Sequence, residues 1–259
     1  MKKTKNIFSV LSIFILALCS CSNDTDESIK LIKKLVTTSA DGVVATTLFT
    51  YNGNKIVSVD GVQKHTDYTY TDDLITKKVT LNKTNQLEET IEYSYMEGKL
   101  IEVISLGNYR INYIHNSDKT VFYERFTIVS ANRQVKELHG TLYFDNENLI
   151  KDERFLDNTA AGFTSKYSIS FDYDSKNNPL YKISGYKKLL NYNEVISSNN
   201  SLVSVAITSV SKDGQISSSA ILYKSSYTYD IESYPKERVS ETAIFDNGNT
   251  GYLKTQYFY

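Results

Sequence analysis

Carboxylates and histidines are the side chains of this sequence with the most chemical potential, so their spacing is considered first. Three pairs bring two carboxylates close together: Asp72 with Asp73, Asp145 with Glu147, and Asp172 with Asp174. Such a pair could act as acid and base on a glycosidic bond, or bind calcium together with carbonyl oxygens. All three stand at predicted turns, where an Asp side chain bonds its own backbone, so turn formation is the favoured interpretation.

The three histidines, His65, His115 and His139, are far apart in the sequence. A zinc site would need a spacing such as His-x-His or His-Glu-x-x-His, which sets two ligands on one side of the ion. We therefore expect surface histidines on strands or loops. The chain also has no Gly-x-Ser-x-Gly elbow and no glycine-rich phosphate loop. The sequence predicts no metal, no cofactor and no enzymatic activity.

The composition excludes several other classes of protein. The chain has 259 residues with 29 basic and 30 acidic side chains, so it lacks the basic surface that nucleic acid requires. Its 21 Tyr and 11 Phe are too many for a disordered tail. Two cysteines cannot form a disulfide framework. The length allows one large all-β domain or two small ones.

The N-terminus carries an export signal. Lys2, Lys3 and Lys5 precede an apolar run over 7–18, which is too short to span a bilayer as a helix. The run ends in Leu18-Cys19-Ser20-Cys21, which resembles the lipobox of bacterial lipoproteins. The resemblance implies that residues 1–20 are removed and that Cys21 becomes the acylated N-terminus. An ordinary secretory signal peptide is the alternative.

Residues 21–30 form an acidic, Ser- and Asn-rich tether containing Asp24, Asp26 and Glu27. A tether of this kind resembles the export signal of surface-exposed Bacteroidota lipoproteins, although a plain solvated spacer would have a similar composition. We expect a protein anchored to the outer membrane through lipidated Cys21 and exposed at the cell surface. Mature material should then stay with lipid as long as Cys21 is intact.

From Leu31 onward the sequence alternates with a period of two, and turn signals recur at short intervals. The turn signals are Asp41-Gly42, Asn52-Gly53, Asp60-Gly61, Glu97-Gly98, Asp213-Gly214 and Asn247-Gly248. This pattern predicts an antiparallel meander of about fifteen to seventeen strands. Without a linker-like break, 31–259 is expected to form a single all-β domain, curled into a strongly bent sheet or a barrel.

A degenerate aromatic repeat underlies the meander. Each unit has two aromatic or apolar residues at i and i+2, a polar turn, and an apolar residue that opens the returning strand. The predicted units are Phe49 and Tyr51 with Ile56, Tyr68 and Tyr70 with Leu74, Tyr93 and Tyr95 with Leu100, Leu142 and Phe144 with Leu149, Phe171 and Tyr173 with Leu180, and Tyr227 and Tyr229 with Tyr234. We expect the rings to fill the interior; the alternative is a sugar-binding platform that includes Tyr68 and Tyr70.

Three features interrupt the strand pattern. Tyr186–Ser198 has weak helical spacing and is predicted to be a loop with one helical turn. The Ser- and Asn-rich run Ser197–Ser201 reads as an exposed connection. Pro179 and Pro235 are each expected just before a strand, where no ladder donor is needed.

The repeat units resemble the YD repeats of Rhs and teneurin proteins, most closely at Tyr227-Thr228-Tyr229-Asp230 and Phe171-Asp172-Tyr173-Asp174. About 230 residues are too few for the large shells of those families. Over nearly its full length the chain is more similar to Bacteroidota lipoproteins of unknown function with a porin-like β fold. That resemblance implies a lipid-anchored envelope protein acting as a non-catalytic binding or structural module.

Three alternatives remain. A surface glycan-binding accessory protein would show exposed Tyr and Phe on a concave face, with a glycan or an envelope protein as its partner. A hydrolase would need two carboxylates facing each other in a cleft. A true outer-membrane barrel would need an apolar outer band about 25 Å tall, which the polar run Ser165–Ser170 disfavours.

Overall fold

The structure, a computed structural model, describes residues 29–130, 133–157, 159–160, 162–190, 195–244 and 250–259. In this part of the chain sixteen antiparallel strands follow one another, each pairing with its sequence neighbours. They are β1 (Lys34–Ser39), β2 (Val44–Asn52), β3 (Lys55–Asp60), β4 (Lys64–Thr71), β5 (Leu74–Asn82), β6 (Glu88–Met96), β7 (Lys99–Ser105), β8 (Tyr109–His115), β9 (Val121–Ser130), β10 (Arg133–Asp145), β11 (Asn148–Leu156), β12 (Phe163–Tyr173), β13 (Ser201–Lys212), β14 (Gln215–Tyr229), β15 (Pro235–Ile244) and β16 (Thr250–Phe258).

The meander closes into a barrel because the first strand pairs with the last. Lys34 of β1 lies opposite Phe258 of β16, and the ladder continues to Ser39 opposite Leu253. Closure leaves no strand edge open to pairing with another chain. The prediction of an all-β antiparallel meander is confirmed, and the barrel is the form that it takes.

The barrel has two different ends. One end carries the turns after β2, β4, β6, β8, β10 and β14, together with residues 29–33 and the C-terminal Tyr259. We call it the plug end, because the segment 174–200 fills the barrel mouth there. The far end carries the turns after β1, β3, β5, β7, β9, β11 and β13. The segment 174–200, between β12 and β13, starts and finishes at the plug end.

Several predicted turns have the left-handed backbone that tight hairpins require. Glu97 and Gly98 have φ of 52° and 70°, and Asp213 and Gly214 have φ of 50° and 82°. The pair 146–147 reaches the same region without a glycine. In the predicted turns Asp41-Gly42 and Asn52-Gly53 only the glycine has a positive φ, and Gly61 does not adopt one, so these turns differ from a tight hairpin turn with two left-handed residues. Asn247-Gly248 lies outside the described residues.

The aromatic repeat is visible in the strand register. The register shifts immediately before the second aromatic residue of each hairpin, which marks a β-bulge. As predicted, the second aromatic faces the apolar residue of the returning strand: Tyr51 opposite Ile56, Tyr95 opposite Leu100, and Phe144 opposite Leu149. Tyr70 instead faces Ile75, since Leu74 pairs with Thr71. Tyr229 likewise faces Pro235, because the returning strand begins one residue after the predicted Tyr234.

Hydrogen bonds from these rings connect successive hairpins at the plug end. The Tyr95 hydroxyl donates to the Ile75 carbonyl (2.8 Å), Tyr173 to Leu149 (2.6 Å) and Tyr259 to Pro235 (2.8 Å). The Ile56 amide donates to the Tyr70 oxygen (3.1 Å), and the Nε2 of His115 bonds the Leu100 carbonyl (2.8 Å). We call this series the hydroxyl ladder. In these five places it connects a strand end to the preceding hairpin through a polar side-chain group.

The hydrophobic core occupies one half of the barrel. It lies along β5–β11 and includes two residues from the segment 174–200. Its buried members are Ile75, Ile91, Tyr93, Leu100, Val103, Ile111, Tyr113, Val121, Tyr123, Leu138, Leu142, Leu149, Leu189 and Leu190. The inner faces of β13–β16 and β1 carry mostly Ser, Thr, Arg and Tyr, together with the apolar Leu35, Leu202 and Ala206. The interior is therefore filled on one side and polar on the other.

The segment 174–200, which we call the plug, accounts for three corrections. Leu180 does not open a returning strand and Pro179 does not precede one, because the chain enters the barrel mouth before β13 begins. The run Ser197–Ser201 is not exposed, since Ser197 and Asn200 are buried against the turn after β10 and the end of β12. Pro235 does begin a strand, as predicted.

The predicted single helical turn is present as a 3-10 helix at Tyr186–Lys188. Part of the helical spacing, residues 191–194, lies outside the described residues. The left-handed Gly185 (φ 75°) lets the plug pass close under β5, since a Cβ there would lie 2.9 Å from the Asp73 carbonyl oxygen. The plug is thus shaped to fit against the barrel wall.

Hydrogen bonds from several sides fix the plug. The Ser184 amide donates to the Asn54 carbonyl (3.0 Å), and the Tyr70 hydroxyl donates to the Ser184 carbonyl (3.1 Å). The Tyr113 hydroxyl donates to the Leu190 carbonyl (2.6 Å). The Asn177 side chain bonds the Glu232 carbonyl (3.0 Å) on the opposite side of the mouth. These contacts span the plug end.

The outer wall is charged, with ion pairs across neighbouring strands. They include Glu102–Arg110 (3.3 Å), Glu124–Lys136 (2.7 Å), Glu153–Lys166 (2.6 Å) and Glu237–Lys254 (2.7 Å). Lys166, Ser168 and Ser170 share the outward phase of β12. Such a wall differs from the continuous apolar band of a lipid-embedded barrel.

Gly140 of β10 is a position where only glycine fits. A Cβ there would lie 2.6 Å from the ring of Tyr123 and 2.7 Å from the Glu153 carbonyl oxygen. Tyr123 is fully buried, and its hydroxyl donates to Asp152 at 2.8 Å. A methyl group at position 140 must therefore displace the ring and disturb this bond.

We expect Gly140→Ala to lower the free energy of unfolding by about 1–3 kcal/mol, because overpacking displaces a buried ring. Urea unfolding followed by circular dichroism measures the effect. Gly251→Ala is the matched control, since its Cβ would meet Thr242 at an ordinary 3.6 Å. Equal unfolding midpoints for the two variants would contradict this assignment.

Candidate binding chambers inside the barrel

The predicted carboxylate pairs do not form facing pairs in a cleft. Asp72 and Asp73 occupy the turn after β4, where Asp73 pairs with Lys55 at 3.1 Å. Asp145 and Glu147 are exposed near the turn after β10, and Asp172 points outward from β12. Asp174 instead joins the plug, where its carboxylate accepts from the Asn200 amide (3.1 Å). Most of these residues lie at turns, Asp172 faces solvent, and Asp174 fixes the plug.

Two histidines lie on the outer wall, as expected. His65 contacts Asp60 at 2.7 Å, and this hydrogen bond raises the pKa of the imidazole. His139 stacks on Phe155 and bonds Asp157 at 2.9 Å. His115 differs from the prediction, because it is half-buried and belongs to the hydroxyl ladder. It bonds a carbonyl of the preceding hairpin, as a tyrosine does in other hairpins. Among the described residues no group of three or more His, Cys, Asp or Glu is placed to hold a metal ion.

Tyr68 and Tyr70 point into the barrel, so the aromatic pairs do not form an exposed platform there. Their rings pack against the core, and the Tyr68 and Tyr186 hydroxyls are 2.8 Å apart. Tyr68 also lines a cavity of about 440 Å³ between the plug and β4–β8. We call this cavity the tyrosine chamber, and its walls are Lys64, Thr66, Tyr68, Lys78, Thr80, Glu89, Ile91, Tyr93, Tyr109, Leu180, Tyr186, Leu189 and Ile196.

The tyrosine chamber combines aromatic faces with polar groups. Four phenol rings line it, and a phenol offers an apolar face together with a polar tip. Lys64 and Glu89 lie at its far-end mouth, where both are exposed. Thr66 and Thr80 face each other across β4 and β5, with their hydroxyls 3.1 Å apart. A polar ligand with an apolar face could be bound here.

On the inner wall of the filled half, buried charges are paired. Arg154 bonds Asp152 and stacks on Tyr167, with its guanidinium carbon 4.5 Å from the ring centroid. Asp152 is only 1% exposed, and burial raises the pKa of its carboxyl despite the neighbouring Arg154. Arg125 is arranged in the same way, bonding Glu137 and stacking on Tyr109. Pairing and stacking compensate for the desolvation of these cations.

A second polar space lies on the other side of the plug, between β12–β16 and β1. Two adjoining cavities of about 390 and 360 Å³ share Phe171, Ser201, Tyr227 and Arg238. We call this space the arginine chamber. Its other lining residues include Thr37, Ser204, Ser225, Ser240, Thr255 and Tyr257.

Sequence reasoning missed Arg238, Thr255, Lys64 and Lys78 as lining residues. A signal was present in the strand phase, since Arg238 shares its phase with Ser240 and Thr242. Both faces of β15 carry largely polar side chains, however, so the alternation does not show which face points into the barrel. The register shows it by placing Arg238 opposite the inward Tyr227.

The N-terminal end of the described chain lies across the plug end. Lys30 pairs with Asp230 and Glu232 of the turn after β14, and its ammonium lies 5.1 Å from the Tyr259 ring centroid. Ile32 is 1% exposed. Cys21 and the rest of 1–28 lie outside the described residues, so its lipidation stays a prediction.

Solved structures with the same architecture are known. The crystal structure of a porin-like protein from Bacteroides vulgatus matches with a TM-score of 0.56 and 14% identity, over 89% of this chain and 98% of that one. A porin-like protein from Bacteroides uniformis matches with a TM-score of 0.53 and 11% identity, over 88% and 97%. The chain has the porin-like fold. At these identities the likeness extends to the fold alone.

Comparison with protein-family models and with curated proteins finds no match. The described residues contain no helix of the length and hydrophobicity needed to cross a bilayer. Function must therefore be inferred from the chambers themselves.

The buried phenols predict a loss of stability at alkaline pH. Burial raises the pKa of Tyr70, Tyr173 and Tyr257 to about 12, against 10.0 for a free phenol. Between these values the unfolded chain releases protons that the folded chain keeps, so stability falls as pH rises. We expect cooperative unfolding in this range, accompanied by a jump in phenolate absorbance. Gradual titration of all phenols near pH 10 with unchanged circular dichroism would contradict it.

Proposed function

We propose that the protein is a lipid-anchored envelope protein whose barrel acts as a non-catalytic binding module. The tyrosine chamber is the observation that carries this proposal. It is a cavity of about 440 Å³, within the range of small-molecule sites, with convergent polar groups among aromatic rings. The ligand would be bound inside the barrel, with its entrance at the far end.

Conduction is not the proposed activity, although sixteen-stranded barrels can enclose an aqueous channel. The plug is bonded to turns on opposite sides of the mouth, at Asn54 and Glu232. The ion pairs on the outer wall favour a barrel held outside the hydrocarbon of the membrane. A fixed plug and a charged wall support a binding role.

The proposed anchor gives the barrel an orientation. Residues 29–33 lie at the plug end, and Ile29 is the eighth residue after Cys21. Eight extended residues span at most about 28 Å. An acylated Cys21 would therefore keep the plug end near the membrane and direct the far end away from it. The acidic tether supports placement on the outer surface of the outer membrane.

We expect Cys21→Ser to release the protein from the membrane fraction, because acyl chains on this sulfur supply the anchoring free energy. Partition into a detergent phase and cell fractionation measure the change. Cys19→Ser is the matched control and should remain bound, since residue 19 is removed with the signal peptide. Release of both variants, or of neither, would contradict an anchor at Cys21.

A neutral saccharide is the ligand that the tyrosine chamber supports best. Tyr68, Tyr93, Tyr109 and Tyr186 offer ring faces for the C–H side of a sugar, while the mouth offers ammonium and carboxylate groups. The glycan-binding role predicted from the sequence is kept in this proposal, but the site lies inside the barrel and not on an exposed aromatic face.

Filling the chamber tests this role. Thr66→Phe adds a ring to the inner wall of β4, and we expect it to weaken saccharide binding by about tenfold or more. Tyrosine fluorescence titration with neutral mono- and disaccharides is a direct readout, because the chain has no Trp.

The matched control is Thr69→Phe, which places the same ring on the exposed side of β4. It should bind as the unmodified protein does. The saccharide role would be wrong if no sugar of the panel bound, or if Thr66→Phe bound as well as Thr69→Phe.

A further inference from the structure

We propose that the arginine chamber is a second binding site, and that its ligand is a small organic carboxylate of hexuronate size bound by Arg238 and Thr255. The inference rests on charge, on unsatisfied polar atoms and on the shape of the lining. It concerns the opposite side of the plug from the tyrosine chamber.

The charge of Arg238 is not compensated as the charges of the other inward arginines are. Arg125 bonds Glu137 and Arg154 bonds Asp152. Within the described residues Arg238 has no carboxylate partner within 4.0 Å, and its partner is the neutral hydroxyl of Tyr227. An inward cation of this kind costs desolvation free energy that no ion pair returns. An anionic ligand would supply the missing charge.

Two polar atoms of the same cavity are also left without partners. The Nε of Arg238 and the Oγ1 of Thr255 are buried, and neither has a hydrogen-bond partner among the described residues. The two residues lie directly opposite each other on β15 and β16, and both line the cavity of about 390 Å³. An unbonded Nε is not peculiar to Arg238, since among the described residues the same atom makes no hydrogen bond in Arg110, Arg125 and Arg154. A buried threonine hydroxyl is normally bonded, and its lack of a partner beside an arginine without a carboxylate points to a missing acceptor.

The remaining lining combines aliphatic side chains, such as Leu35, Ile169 and Leu202, with aromatic rings and hydroxyl groups, which suits a ligand with a carbon ring and hydroxyl groups. Phe171 and Tyr227 border both cavities of the chamber and offer ring faces. Ser204, Ser225 and Ser240 stand on three neighbouring strands along the same wall. Apolar faces with hydroxyls beside them match the alternation of C–H and O–H groups on a sugar ring.

One arginine selects a singly charged group. A guanidinium binds a carboxylate through two parallel hydrogen bonds. A phosphate monoester carries up to two negative charges, and a single Arg would leave one of them uncompensated in a partly buried site. A carboxylate on a ring of sugar size meets both the charge and the shape of the chamber.

Calorimetric titration of the mature full-length protein tests the proposal, with D-glucuronate and D-galacturonate as probes and D-glucose and D-galactose as their neutral counterparts. We expect at least one hexuronate to bind, and to bind about tenfold or more tightly than its neutral counterpart. Arg238→Met should weaken hexuronate binding by about tenfold or more, since it removes a charge-assisted pair. Thr255→Val, which keeps the shape but removes the hydroxyl, should weaken it by a smaller factor.

Thermal unfolding of the ligand-free variants separates a binding role from a structural one. If Arg238 serves a ligand, Arg238→Met keeps its far-UV spectrum and melts at the same or a higher temperature, because an unpaired inward charge has been removed. A lower melting temperature would show that Arg238 serves stability, and would overturn the proposal.

Three further outcomes are decisive. Absence of binding by both hexuronates overturns the proposal, as does equal affinity for inorganic sulfate, which would show a site for oxyanions in general. Thr66→Phe should leave hexuronate binding unchanged because it alters only the tyrosine chamber. If Thr66→Phe abolished hexuronate binding, the carboxylate would occupy the first chamber and Arg238 would not be its ligand. The two chambers can thus fail independently.

Discussion

The structure depends on the burial of phenol rings inside a barrel that strands alone do not fill. A buried hydroxyl must find a hydrogen-bond partner, or the ring loses much of the benefit of burial. The hydroxyl ladder meets this requirement for several of the rings by joining them to a backbone group of the preceding hairpin, as Tyr95 does at Ile75 and Tyr173 at Leu149, whereas the Tyr51 hydroxyl has no partner among the described residues. His115 shows that the requirement is for a polar group at this place, and not for tyrosine as such.

The ladder and the plug depend on each other. Tyr70 uses its oxygen twice, accepting from the Ile56 amide of the wall and donating to the Ser184 carbonyl of the plug. Tyr113 and Tyr68 also reach plug atoms. The plug supplies Leu189 and Leu190 to the core on one side. On the other side its polar residues face the arginine chamber, and this asymmetry leaves space on both sides of the plug.

Charges are distributed by the same alternation that distributes the rings. On the outside, oppositely charged side chains face each other across strands, where water screens them and each pair contributes little. On the inside, Arg125 and Arg154 combine a carboxylate with a stacked tyrosine. Arg238 differs from both, since it faces the arginine chamber without a carboxylate partner among the described residues.

Some of the candidate site could be read from the sequence. The aromatic pairs at i and i+2 place two rings on one strand face by geometry alone, so the inward position of Tyr68 and Tyr70 was the favoured expectation. The partner of Tyr70 was placed one residue too early, at Leu74, because the β-bulge adds a residue that the pattern does not show. The chambers were not predictable, because their walls come from strands and from a plug that are distant in the sequence.

The sequence by itself determined the strands, most of the turns and the antiparallel order, because period-two alternation and turn chemistry are local properties of the chain. Only the tertiary structure decided that β1 meets β16, that residues 174–200 enter the mouth, and that Arg238 faces a chamber. Closure depends on the summed twist and register of sixteen strands. Entry of the plug depends on the space that closure creates. Neither the closure of the barrel nor the space inside it can be predicted from a single stretch of residues.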